Sequence, residues 1–142
     1  MVENILSIDL GRKSMGIALS RTGLLVTPID NPHFKLDDYQ QYISYLKKFF
    51  LKERVEHIVI GYPLYPSGDP CKMTPVVDNF IEMLKENFPD IEIIKQDERE
   101  STKEASTFLS SSGYNMKKQR KKIDCIAACV ILERYLHSIK QI

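Results

Sequence analysis

The chain has 142 residues, 43% of them apolar and 27% charged, with a formal net charge of +1. That is the size of one ordinary domain with enough apolar side chains for a single core, so one domain over residues 1–142 is expected. The overall charge speaks neither for nor against a nucleic-acid partner. The local distribution does speak, because five of the six residues from Lys117 to Lys122 are basic while acids gather at Asp97, Glu98 and Glu100.

No apolar run approaches the ~18 residues needed to cross a bilayer, and the N-terminus enters a strand pattern without a basic leader. A cytoplasmic protein with no membrane partner is expected. Three cysteines, two of them at helical spacing (Cys125 and Cys129), make neither a disulfide framework nor a C-x-x-C knuckle. They read as small apolar residues in a reducing compartment. His33, His57 and His137 have no ligand spacing, which argues against zinc.

In chain order, Asn4 to Leu10 is a compact apolar run ending in Asp9-Leu10-Gly11, and Met15 to Ser20 follows after a short turn. This predicts a β-hairpin, with Thr22-Gly23 leading into a third strand over Leu24 to Ile29. Apolar residues at helical spacing predict an amphipathic helix from Leu36 to Lys52. Val55 to Gly61 reads as a buried strand, followed by a Pro- and Gly-rich loop from Tyr62 to Pro70. A second helix is marked by Val76, Val77, Phe80, Ile81, Leu84 and Phe88. Ile91 to Lys95 predicts a strand. Ser101, with Glu104 three residues on, has the capping-box pattern of a short helix reaching about Leu109. The last helix is expected from about Lys121 to Ile139, after a basic loop.

The order β-β-β-α-β-α-β-α-α predicts an α/β fold with an antiparallel hairpin on one side and parallel strands on the other. Helical crossovers make the strands that begin at Asn4, Val55 and Ile91 parallel, so Asp9, Gly61 and Asp97-Glu98 share one edge. Sites in open α/β sheets form at the carboxyl ends of strands. Carboxylates there are costly to bury unless they bind something, and several together would suit hard divalent cations. Asp124, near the start of the final helix, reaches the same edge if Ala127 and Ala128, on its own face, let that helix approach the sheet. Taken singly, Asp9 could be a turn cap and Asp124 a first-turn acid favourable to the helix dipole. Neither alternative explains the common edge.

Asp9-Leu10-Gly11 with Gly16-Ile17-Ala18, Ile60-Gly61-Tyr62-Pro63 with Gly68, Asp97 to Thr102 with Ala105, and Lys121 to Asp124 with Ala127-Ala128 and Ile131-Leu132 follow one another over nearly the whole chain. In that combination the sequence resembles the YqgF/RuvX family, the Holliday-junction-resolvase-like branch of the RNase H-like nucleases. The resemblance implies a three-layer fold with a five-stranded mixed sheet flanked by helices. It also implies a bacterial cytoplasmic nuclease linked to 5′-end maturation of precursor 16S rRNA and, in some members, to cleavage of branched DNA. The catalytic and metal-ligating set it implies is Asp9, Glu98 and Asp124, holding Mg²⁺ or Mn²⁺. Two such ions about 4 Å apart activate water and stabilise the leaving oxygen in in-line attack on a phosphodiester. Neighbouring strand residues point to opposite faces, so only one of Asp97 and Glu98 faces the metals, and Glu98 is the residue carried over.

Nucleic-acid contacts are expected from Arg12, Lys13, Arg99, Ser101, Thr102, Lys117, Lys118, Arg120, Lys121 and Lys122. Each has a plainer reading: a solvated basic loop for Lys117 to Lys122, an ion pair with Glu100 or Asp97 for Arg99, and helix capping for Ser101 and Thr102. The chain departs from the family pattern at Ser14, where a second basic residue is common, and at Tyr62, whose ring either stacks on a base or packs on the loop. Asp-Leu-Gly with Gly16 also resembles the first phosphate motif of actin-like ATPases and sugar kinases. Those clamp nucleotide between two such domains, and a G-x-x-x-x-G-K-[ST] loop is absent. A non-catalytic nucleic-acid-binding factor in transcription or ribosome assembly is the other alternative. A monomer or weak homodimer is expected, with precursor rRNA favoured and branched DNA as a second partner.

Overall fold

Ile5–Leu10 forms the first strand, β1, and the computed structural model in which it lies describes residues 4–97 and 116–139. Five of its six residues are buried, as expected of a central strand covered on both faces. It is followed by β2 (Met15–Ser20), β3 (Thr27–Asp30), helix α1 (Tyr39–Lys52), β4 (His57–Tyr62), α2 (Thr74–Asn87), β5 (Glu92–Asp97) and a final helix, α3 (Met116–Ser138). The sheet order is β3-β2-β1-β4-β5. β1 pairs with β2 and β2 with β3 antiparallel, whereas β1–β4 and β4–β5 are parallel. This is the mixed five-stranded sheet of the RNase H-like fold.

Strand alternation divides the interior into two cores. Leu6, Ile8 and Leu10 of β1 join Ile58 and Ile60 of β4 and Tyr42, Leu46, Phe80 and Leu84 of α1 and α2. Ile5, Ala18, Val59 and Ile94 join Ile126, Ala128, Ile131 and Leu132 of α3 on the other face. Fully burying each such aliphatic side chain contributes about 1.5–3 kcal/mol, so both faces of the sheet must stay covered. Across the α1 side runs a connected set of rings, with Phe34–Tyr42 centroids at 4.2 Å and Tyr42–Phe80 at 5.8 Å.

Several element bounds differ from expectation for identifiable reasons. Helix α1 starts at Tyr39 rather than Leu36, because Asp37 has φ 57° and its N–H donates to the Arg12 carbonyl. Leu36 is left 54% exposed in that turn. The third strand begins at Thr27 rather than Leu24. The N–H groups of Leu24 and Leu25 donate to the Thr22 hydroxyl, that of Gly23 donates to the Ser20 hydroxyl, and pairing with β2 shifts register at Ile17/Ala18. The final helix begins at Met116, not after the basic run, so Lys117 to Lys122 are helical and the expected basic loop is not found there. Lysine and arginine are good helix formers, and that stretch holds neither Gly nor Pro. The predicted short helix from Ser101 lies outside the described residues.

Candidate active site

The geometry of the site starts from the parity of β1. Leu6, Ile8 and Leu10 face α1 and α2, so Ser7 and Asp9 belong to the face covered by α3. Asp9 is partly exposed at the carboxyl end of the strand and stands opposite Gly16 of β2. On the other side Ile8 pairs with Ile60, so the next residue of β4, Gly61, is level with Asp9. Gly61 in turn pairs with Gln96 of β5. The carboxylate therefore lies between two residues without side chains, in a bay opened by Gly16 and Gly61. A larger residue at either position would put a Cβ and its substituents beside Asp9 on the same face.

α3 is seated on this face by small groups. The Ser7 hydroxyl, fully buried, donates to the Ala128 carbonyl at 2.7 Å, and Ala127 and Ala128 are 2% and 0% exposed. Cys125 Sγ lies 4.0 Å from the carbonyl of Ile17, the residue that pairs with Ile8. Going back along the helix from Ala128 to Cys125 thus advances along β1 from the level of Ser7 to that of Ile8. One further residue back is Asp124, a full turn before Ala128. Four helical residues rise about 6 Å and two strand residues about 6.6 Å, so the backbone at 124 comes to the level of Asp9. Because α3 begins at Met116, Asp124 is in its third turn, and the first-turn dipole explanation for this acid does not hold.

At β5, Ile93 packs into the α1/α2 core and Lys95 Nζ lies 3.5 Å from Asp78 Oδ1 of α2, whereas Ile94 faces α3. Asp97 thus has the parity of the α2 face, opposite to Asp9. Glu98, Arg99, Ser101 and Thr102 lie outside the described residues. Lys117, Lys118, Arg120, Lys121, Lys122 and Asp124 are placed as backbone on α3. Among the described residues no group of three His, Cys, Asp or Glu side chains converges as a metal site. Asp9 supplies the one described side chain of the expected set.

Arg12 and Lys13 form the β1–β2 turn at the same edge. The Arg12 guanidinium grips Asp37 through two bonds, Nε–Oδ1 at 2.9 Å and Nη2–Oδ2 at 2.7 Å. This fork holds the Asp37 carboxyl below its usual range, and the Arg12 pKa is raised in return. The turn is fixed further: Phe34 N–H donates to the Lys13 carbonyl at 2.7 Å and Gly11 N–H to the Ser14 carbonyl at 2.8 Å. From α1, the Tyr42 hydroxyl donates to the Gly11 carbonyl at 2.6 Å, and burial pushes its pKa up to about 12, which keeps the proton in place. A Cβ at Gly11 would meet the Ser14 carbonyl oxygen at 3.1 Å, so this close turn favours glycine. Tyr62 packs rather than pointing at the bay. Its hydroxyl donates to Asp78 Oδ2 at 3.2 Å, and Lys95 Nζ sits 4.6 Å from its ring centre on the α2 face. Sequence reasoning placed Gly61 at this edge but missed Ser7, Asp37 and the position of Gly16 directly opposite Asp9, which only strand register reveals.

Comparison with known proteins agrees over nearly the full length. The family model RuvX, described as Holliday junction resolvase, matches residues 3–138. The chain is 38% identical over 138 residues to a protein of Mesomycoplasma hyopneumoniae named "Putative pre-16S rRNA nuclease", covering 96% of this chain and 95% of the relative. A protein of the same name from Chlorobium phaeobacteroides is 36% identical over 141 residues, covering 96% and 94%. Another from Mesoplasma florum is 34% identical over 143 residues, covering 99% and 100%.

Proposed function

This chain belongs to the RuvX family, and from that premise we propose that it is a nuclease, using Mg²⁺ or Mn²⁺, whose favoured substrate is the 5′ end of precursor 16S rRNA. Asp9, Glu98 and Asp124 would hold the ions; all three offer hard carboxylate oxygens, the donor type such cations prefer. When bound, the ions supply charge stabilisation for in-line attack on a phosphodiester. The chain's own contribution is placement. The flanking glycines put no side chain of their own beside Asp9, where a phosphate would lie, and the Ser7–Ala128 contact seats α3 on that face. The basic run in the first turns of α3 brings positive charge to the same end of the helix as Asp124, where a nucleic-acid backbone would lie.

The observation that carries this reading is the single acidic side chain of β1, set between Gly16 and Gly61 at the sheet's carboxyl edge and levelled with residue 124 of α3. The test is cleavage of a 5′-extended precursor 16S rRNA and, in parallel, of a mobile four-way DNA junction, with Mg²⁺, Mn²⁺ or chelator. Trimming of the RNA that needs the metal, and that falls at least about a hundredfold in Asp9→Asn, is expected. The description of the matching family favours the junction as the second substrate. Paired symmetric nicks in the junction with the RNA untouched would establish that reading instead. Symmetric resolution takes two active sites at a fixed distance and so a stable two-fold dimer, whereas trimming takes one.

A further inference from the structure

On the opposite side of the sheet's carboxyl edge from Asp9, a groove of about 500 Å³ runs between the β1–β2 turn and α2. Its size falls within the roughly 300–1,000 Å³ of small-ligand sites. Val76, Phe80 and Met83 make an apolar floor, Asn79 stands on the wall, and Arg12 and Lys72 stand at the rim. Tyr39 also lines it. Its hydroxyl is buried beside the Asp37 carboxylate, and burial together with that carboxylate raises its pKa, so it stays protonated. An amide with both donor and acceptor, an apolar floor and a cationic rim match one kind of group: a nucleobase carried on a phosphate backbone.

We propose that this groove receives an unstacked base of the substrate strand, next to the nucleotide whose phosphate occupies the Asp9 bay. The inference rests on the nuclease reading above and adds to it a base-binding subsite. The connection between the two is covalent and short. Arg12 is three residues beyond Asp9, in a turn held by the Phe34 and Asp37 amides and by Tyr42, so the rim cation is rigidly placed relative to the bay. Asp37 holds the guanidinium through Nε and one Nη, which leaves the other Nη available to a phosphate oxygen. Lys72 adds the second cation, and the rim as a whole, with Asp37 counted, is positive by one charge. An anionic backbone is the complementary occupant; an acidic base-free ligand would leave the apolar floor unused.

Asn79 and Lys72 are both exposed, so neither Asn79→Trp, which fills the groove, nor Lys72→Glu, which reverses a rim charge, disturbs the core. Binding is read by fluorescence anisotropy with labelled single-stranded RNA ten nucleotides long, in chelator so that no cutting occurs. A second series carries one abasic nucleotide at each successive position. Asn79→Trp should weaken binding about tenfold, within the range seen for losing one stacked base. One abasic position should weaken wild-type binding similarly and leave the Asn79→Trp variant unchanged. Lys72→Glu should also weaken binding and flatten its salt dependence. Wild-type affinity in both variants, or equal loss at every abasic position, would overturn the subsite while leaving the nuclease reading intact. Wild-type protein that binds no oligonucleotide would overturn both.

Discussion

The contact between Ser7 and Ala128 separates the seating of α3 from the chemistry it delivers, and two substitutions exploit this. Ser7→Ala removes a buried donor that reaches the Ala128 carbonyl at 2.7 Å. That carbonyl keeps its helical N–H partner, so no acceptor is orphaned, and the cost is the ordinary 0.5–1.5 kcal/mol of a neutral hydrogen bond. For a chain of 142 residues this is a fall in Tm of about 4 °C. Ser7→Val removes the same bond and also forces a branched side chain into a site where Ser7, Ala127 and Ala128 leave almost no space, all three being at most 2% exposed. Overpacking adds about 1–3 kcal/mol and is relieved by moving α3 outward. A displacement of about 1 Å between catalytic groups costs on the order of a hundredfold in rate. The valine variant should therefore stay folded by circular dichroism yet cleave about a hundred times more slowly, while the alanine variant keeps most of its activity. Unchanged cleavage in Ser7→Val, with the expected loss of stability, would refute the idea that the seat of α3 positions the site.

Other expectations follow from single interactions. Neutralising Lys117 and Lys118 should reduce the slope of log affinity against log salt by roughly 0.7–0.9 for each phosphate that the protein no longer neutralises; an unchanged slope returns them to a solvated helix face. Asp37 titrates in the folded chain below its ordinary 3.8, so the stabilising effect of its pair with Arg12 is complete above that pH and is lost as pH falls through the folded value. In Arg12→Ala the Asp37 carboxyl, followed by NMR, should rise toward 3.8; no movement would mean the fork does not persist in solution. Cys71 has its thiol pKa lowered by the Thr74 hydroxyl, whereas burial pushes that of Cys129 up to about 12. Iodoacetamide near pH 8 should alkylate Cys71 well before Cys129, as mass spectrometry of the native protein will show, and the reverse order would contradict the packing of α3.

Strand direction was legible because length and crossover rules leave few choices. Runs such as Ile58-Val59-Ile60 read as buried strands, and the helical stretches between them force parallel pairing. What escaped was decided partly by a contact distant in sequence and partly by local hydrogen bonds and propensity that apolar periodicity does not show. Leu36 continues the apolar periodicity of α1, yet the Arg12 carbonyl, 25 residues away from Asp37, captures the Asp37 amide and delays the helix. Leu24 and Leu25 look like strand residues, yet both amides donate to the Thr22 hydroxyl, after Gly23 has donated to that of Ser20. The basic run looks like a loop because charge is a poor guide to helix boundaries when propensity is favourable.

The site was legible in part, and for a reason specific to β1. A carboxylate at the end of a run of buried aliphatic residues is costly to bury in a central strand, so Asp9 stands out from the sequence. Gly61 was legible at the same edge, but that it and Gly16 flank Asp9 directly follows only from one parallel and one antiparallel register. The same registers assign Asp97 and Tyr62 to the α2 face and Gln96 to the α3 face of this edge. A slip of one residue in β5 would move Asp97 to the face of Asp9. Asp97→Asn and Glu98→Gln therefore test register as well as chemistry. Activity kept in Asp97→Asn is the outcome this pairing demands, loss of cleavage in Glu98→Gln is what the proposed ligand set adds, and the opposite result would mean that β5 leaves its parity before the strand ends.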